Sequence, residues 1–113
     1  MKYIIAIIQP DRLDEVMAAL EEEEIFLITV SDVMGRGRQK GIAEVYRSHV
    51  EKGGLLHKIK VELAVSNNNV WQAVDAIARG ARTGNIGDGK IFVLEMDECL
   101  RIRTGETGVS ALA

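Results

Sequence analysis

The chain has 113 residues, 47% of them hydrophobic and 27% charged, with a formal net charge of −3. That length gives one domain with one core, residues 1–113, and that hydrophobic content excludes a disordered chain. The acidic total argues against a nucleic-acid binder, whose surface is basic.

Residues 3–9 are apolar at successive positions, which predicts a strand covered on both sides and therefore central in a sheet. The run ends at Gln9-Pro10 without a small-residue cleavage site, so it reads as a strand and not as a leader. No apolar run approaches the roughly 18–20 residues of a membrane span. Pro10 suits the first position of a helix, with Asp11 in its first turn. Leu13, Val16, Met17 and Leu20 follow at helical spacing and form one face. Acidic residues up to Glu24 take the other face.

Residues 25–34 read as a second strand, rich in Ile, Phe, Thr and Val. A stretch from Gly35 to His57 then carries five glycines and little apolar periodicity. A loop of that length in a compact domain is usually functional. Lys58 to Val65 alternates polar and apolar, as a strand with one wet face does. Asn67, Asn68 and Asn69 offer N-caps. A second helix carries Val70, Ala73, Val74, Ile77 and Ala81 on one side. Trp71, near its start, is assigned to core or interface packing. Lys90 to Met96 reads as a fourth strand, and Arg101-Ile102-Arg103 as a short fifth.

The order β-α-β-β-α-β predicts an α+β, ferredoxin-like fold, with an antiparallel sheet and both helices on one face. The other face is left for self-association. RNA-recognition domains share this order but stack bases on sheet aromatics. This chain has five aromatics and none between Ile59 and Val65, so that reading is set aside. Cys99 is the only cysteine, which excludes an internal disulfide and fits a reducing, cytoplasmic compartment.

Three segments carry the candidate chemistry: Gly35-Arg36-Gly37-Arg38-Gln39-Lys40-Gly41, Thr83 to Lys90, and Arg101 to Glu106. Counting Arg82, which directly precedes the second segment, seven of the 14 basic residues lie in or next to them, while seven of the 17 acids lie between Asp11 and Glu24. Glycines let successive backbone N–H groups converge on an anion, and arginine supplies flat bidentate donors for phosphate. Read alone, Gly87-Asp88-Gly89-Lys90 is a hairpin turn. Three such segments in one short chain favour a phosphate. No Walker A loop and no nucleophile–base set occurs. His49 and His57 lack the companions of a closed metal site.

In these segments, and in the first strand ending at Gln9-Pro10, the sequence resembles the PII signal-transduction family along essentially its whole length. The resemblance implies a compact homotrimer that binds ATP or ADP in clefts between subunits. It places Gly35, Gly37, Arg38, Gly87, Asp88, Gly89 and Lys90 around the nucleotide. Arg101 and Arg103 reach its phosphates from the neighbouring subunit, and Thr29 and the backbone around Ala64 meet the adenine. It implies 2-oxoglutarate as a second ligand, held through Mg²⁺ on ATP, with Gln39 on the metal and Lys58 on the distal carboxylate. Residues of about 37–56 match the family's T-loop, with Tyr46 and Arg47 as partner-binding residues. The implied role is a nitrogen, carbon and energy sensor, not an enzyme, acting on an ammonium channel or a nitrogen-metabolism enzyme such as nitrogenase. A slow ATPase is the alternative. The T-loop departs from better-known members: Glu51 replaces the tyrosine of uridylylation and lacks its phenolic hydroxyl. His49 replaces the phosphorylated serine, and His57 the usual proline.

Overall fold

The computed structural model describes residues 1–37 and 52–113. Strand β1 (Lys2–Ile8) leads through a 3-10 turn at Pro10–Arg12 into helix α1 (Leu13–Glu22). Strands β2 (Thr29–Gly35) and β3 (Leu56–Val65) precede helix α2 (Val70–Ala81) and strand β4 (Gly89–Glu95). The sheet order is β2-β3-β1-β4 with every pairing antiparallel. This is the expected ferredoxin-like α+β arrangement, with the apolar β1 in an interior position.

One face of the sheet builds the core. Ile4, Ala6 and Ile8 of β1 and Ile59, Val61, Leu63 and Val65 of β3 are buried against Val16, Ala19 and Leu20 of α1. Ala73, Ala76, Ile77 and Ala81 of α2 complete it. Each Leu or Ile so buried contributes about 2 kcal/mol through removal of apolar surface from water. The two helices approach closely at Gly80, where an added Cβ would lie 2.7 Å from the Glu15 carbonyl oxygen and from Val16 Cα. Arg12 reinforces that contact: its Nε and Nη2 donate to the Gly80 carbonyl at 3.0 and 2.8 Å.

Five local expectations are corrected. Residues 25–28 are not strand. Glu24 adopts φ 60°, the Ile25 N–H closes back on the Leu20 carbonyl at 2.9 Å, and the ladder begins at the pair Thr29–Glu62. Ile25 and Ile28 pack against the core instead, leaving Phe26 and Leu27 exposed. Strand β3 starts at Leu56, two residues before the alternation predicts, so the segment joining it to β2 ends at Leu55. Asn67–Asn69 form a 3-10 turn and give no side-chain cap to either helical segment. Arg101-Ile102-Arg103 is a turn, because the Gly105 N–H donates to the Arg101 carbonyl at 2.8 Å. Trp71 is 70% exposed, so a core role in the single chain is excluded.

Candidate functional site

Antiparallel register fixes where the candidate residues lie. Val33 faces Lys58, Gly35 faces Leu56, and Ile8 lies between Ile59 and Gly89. The end of β2, the start of β3, the end of β1 and the start of β4 therefore meet at one edge of the sheet. Gly35, Lys58, Gly87, Asp88, Gly89 and Lys90 gather there. Across the sheet face opposite the helices, Ser31, Lys60, Ile7 and Lys90 form one row. Lys58 shares that face one row further on, 8% exposed, with its Cγ 3.7 Å from the Cβ position of Gly35. This edge is therefore basic.

The loop between α2 and β4 is shaped by its own residues. The Asp88 carboxylate accepts the Thr83 N–H at 2.8 Å, the Gly84 N–H at 2.9 Å and the Thr83 hydroxyl. It thus acts within the loop as a staple, a direction the sequence does not reveal. Gly84, Gly87 and Gly89 adopt φ of 89°, 98° and 110°. At Gly89 the space is closed as well, because an added Cβ would fall 1.8 Å from the Ile7 carbonyl oxygen, whereas at Gly84 nothing lies within 4 Å. The Gly87 carbonyl accepts Nε2 of Gln9, a buried residue to which the sequence assigned no site role. Its burial is invisible in sequence, where it reads as the polar end of a strand. Replacing Asp88 with alanine is expected to cost about 1–2 kcal/mol, the loss of its acceptors. Urea unfolding measures that loss, and faster amide exchange at Gly84 locates it.

The remaining candidates lie elsewhere. Thr29 is the first residue of β2, opposite Glu62, and Ala64 lies opposite Tyr3. Six residues of extended chain separate Thr29 from Gly35, and Ala64 from Lys58, or about 20 Å. Glu62 accepts the Tyr3 hydroxyl at 3.1 Å, and burial together with this carboxylate raises the Tyr3 pKa above its ordinary value. Beside Ala64 lies a cavity of about 580 Å³, walled also by Phe26, Leu27, Val65 and the C-terminal residues Val109, Leu112 and Ala113.

Arg101 belongs to this second group. Its Nη1 donates to Glu106 Oε1 at 2.6 Å, and its Nη2 to the carbonyls of Ser110, at 3.4 Å, and Ala113. Arg103 is exposed on the adjoining turn. The structure thus brings the candidates together as two clusters at opposite ends of the sheet, with Gly37 exposed just beyond the first. Arg38, Gln39, Tyr46 and Arg47 lie outside the described residues, as do Lys40, Gly41, His49 and Glu51. Among the described residues, no group of three or more His, Cys, Asp or Glu could hold a metal ion, and no helix is long and apolar enough to cross a membrane.

Comparison with known proteins matches residues 1–106 to the family model for nitrogen regulatory protein P-II. Nitrogen regulatory protein P-II of Bradyrhizobium diazoefficiens is 51% identical over 112 residues, 99% of this chain and 100% of that protein. Nitrogen regulatory protein P-II 2 of Methanothermobacter thermautotrophicus is 49% identical, over 99% of this chain and 97% of that protein. The crystal structure of Arabidopsis thaliana PII bound to citrate superposes with a TM-score of 0.80 at 37% identity, covering 98% of this chain and 88% of that one. With its ferredoxin-like sheet, its glycine-shaped loop and a match along nearly its whole length, the chain belongs to the nitrogen regulatory protein P-II family.

Proposed function

We propose that this protein is a sensor that binds ATP or ADP in clefts between the subunits of a homotrimer. The observation that carries the reading is the division of the candidate residues. Lys58, Gly87, Gly89 and Lys90 form a basic edge suited to phosphates, while Thr29, Ala64 and Arg101 lie about 20 Å away at the other end. Neither cluster surrounds a nucleotide by itself. A second copy of the chain, bringing its Arg101 end to the first copy's glycine loop, completes one cleft. The outer face of the sheet supplies the means of assembly, since Phe92 and Leu94 are exposed beside Ile5 and Tyr3. Closing three such clefts in a ring satisfies every interface.

The second ligand is 2-oxoglutarate. Lys58, held on the sheet face at the basic edge, offers an ammonium for its distal carboxylate. The residues fit Mg²⁺ only through Gln39 and the oxygens of the ligands, because the described carboxylates form no cluster around that edge. Bound there, the ion would neutralise phosphate and keto-acid oxygens together. The citrate named with the Arabidopsis relative is also a polycarboxylate, which supports a family able to take such anions. The segment of about 37–56, with Tyr46 and Arg47, would carry the signal to an ammonium channel or a nitrogen-metabolism enzyme such as nitrogenase. A cytoplasmic location follows from that role. The ATPase alternative is weaker, because the Asp88 carboxylate is engaged by Thr83 and Gly84 and is poorly placed to activate water.

Calorimetric titration tests the reading. ATP is expected to bind alone, and 2-oxoglutarate only when ATP and Mg²⁺ are both present. Gln39→Ala and Lys58→Ala are expected to abolish the second heat and keep the first. Equal binding of 2-oxoglutarate without nucleotide would overturn the sensing mechanism.

A further inference from the structure

We propose that Gln9 is a positioning residue that fixes which way the Gly87–Asp88 peptide faces, and so whether the glycine loop presents a donor or an acceptor to an anion. The proposal rests on the nucleotide reading above for its ligand. Gln9 is 1% exposed and directly follows the last residue of the interior strand β1. Its own backbone is held, because its carbonyl accepts the Arg12 N–H at 3.0 Å and opens the following 3-10 turn. From this anchored position Nε2 reaches across 78 residues of sequence to donate to the Gly87 carbonyl at 2.6 Å. A buried amide requires such a partner, so the bond orders both ends.

The consequence lies in peptide geometry. No peptide bond in the described chain is cis. In a trans peptide the carbonyl and the following N–H point in opposite directions. Gln9 draws the Gly87 carbonyl inward, which turns the Asp88 N–H away from the core. Gly87, at φ 98°, has no side chain to enforce that orientation, and its peptide could otherwise rotate. The flipped peptide would aim a carbonyl dipole at the anion. Two other ties flank this peptide on either side. Asp88 staples Thr83 and Gly84 on one side, and the ladder at Gly89 begins on the other. Gln9 holds the peptide between them through the Gly87 carbonyl.

The test compares Gln9→Met, which keeps the length and removes the donor, with Gln9→Lys, which keeps a donor. Binding of ATP and of ADP is measured by calorimetry, melting midpoints by circular dichroism, and the Asp88 amide by nitrogen-15 NMR. Gln9→Met is expected to weaken both nucleotides roughly tenfold, the scale of one net hydrogen bond, and to shift the Asp88 amide resonance. Gln9→Lys is expected to restore most of the affinity and the resonance. A role confined to stability would lower the melting midpoint and leave affinity in the folded range unchanged. Nucleotide binding by Gln9→Met equal to wild type, or Gln9→Lys as weak as Gln9→Met, overturns the proposal. If the wild-type chain binds no nucleotide, the functional reading fails, while the Asp88 resonance still decides the peptide orientation. Should Gln9→Met not fold, Gln9→Glu keeps the size without the donor and replaces it.

Discussion

Gly89→Ala is expected to cost at least about 3 kcal/mol of folding stability, combining left-handed backbone strain with a backbone collision. The added Cβ would sit 1.8 Å from the Ile7 carbonyl oxygen and 2.9 Å from its carbon. Those atoms belong to β1, which is paired on both sides and cannot retreat without disturbing both ladders. The first pair of the β1–β4 ladder, Ile8–Gly89, would open, and the glycine loop would lose the end that the ladder fixes. Gly84→Ala supplies the control. Its φ is 89°, yet nothing lies within 4 Å of its added Cβ, so it carries backbone strain of only about 1 kcal/mol. Urea unfolding of the two variants should separate them by about 2 kcal/mol or more. Equal costs would show that the approach to Ile7 does not decide the fold.

Lys90→Ala and Arg101→Ala should each weaken nucleotide binding roughly 100-fold, or about 3 kcal/mol, as loss of a charged phosphate partner does. The two variants damage opposite ends of the sheet. If each cleft joins two subunits, mixing the variants after unfolding and refolding should restore binding. About one cleft in four would regain an intact Lys90 side and an intact Arg101 side, each drawn independently. Those clefts should bind with wild-type affinity, seen as a reduced number of tight sites in calorimetry. Absence of tight sites in the mixture would place both residues on the same half of the cleft, contrary to the two-subunit reading. On the proposed reading, Arg101 exchanges Glu106 and the carbonyls of Ser110 and Ala113 for phosphate oxygens. Part of its intrinsic interaction is therefore spent on release.

Periodicity and composition carried most of the fold. The continuous apolar run of β1, the helical spacing of Leu13, Val16, Met17 and Leu20, and the alternation of β3 each led to the observed element. What misled was local propensity without knowledge of chain direction. Ile25 to Ile28 has strand composition, but the left-handed Glu24 turns the chain so that Ile25 and Ile28 meet the core from outside the ladder. Arg101 to Arg103 closes on Gly105 and Glu106 before it can extend. The glycine loop was legible as a loop, whereas its internal wiring was not. Asp88 is visible in sequence only as an acid, and Gln9 only as a polar residue before a proline. Which atoms they meet depends on contacts across the fold that no pattern of neighbours encodes.

At the opposite side of the sheet from β4, the pair Gly35–Leu56 closes the base of the segment joining β2 to β3, and Arg36 Nη1 braces it by donating to the Gly53 carbonyl at 3.2 Å. The entropy of closing a segment grows only with the logarithm of its length, about 0.6 kcal/mol per doubling. Lengthening or shortening the segment beyond that brace therefore changes the cost of closing it only slightly. The length of that segment can thus change while the ladder that closes it stays fixed. A lineage built on this scaffold can change the length of that segment without passing through an unfolded ancestor.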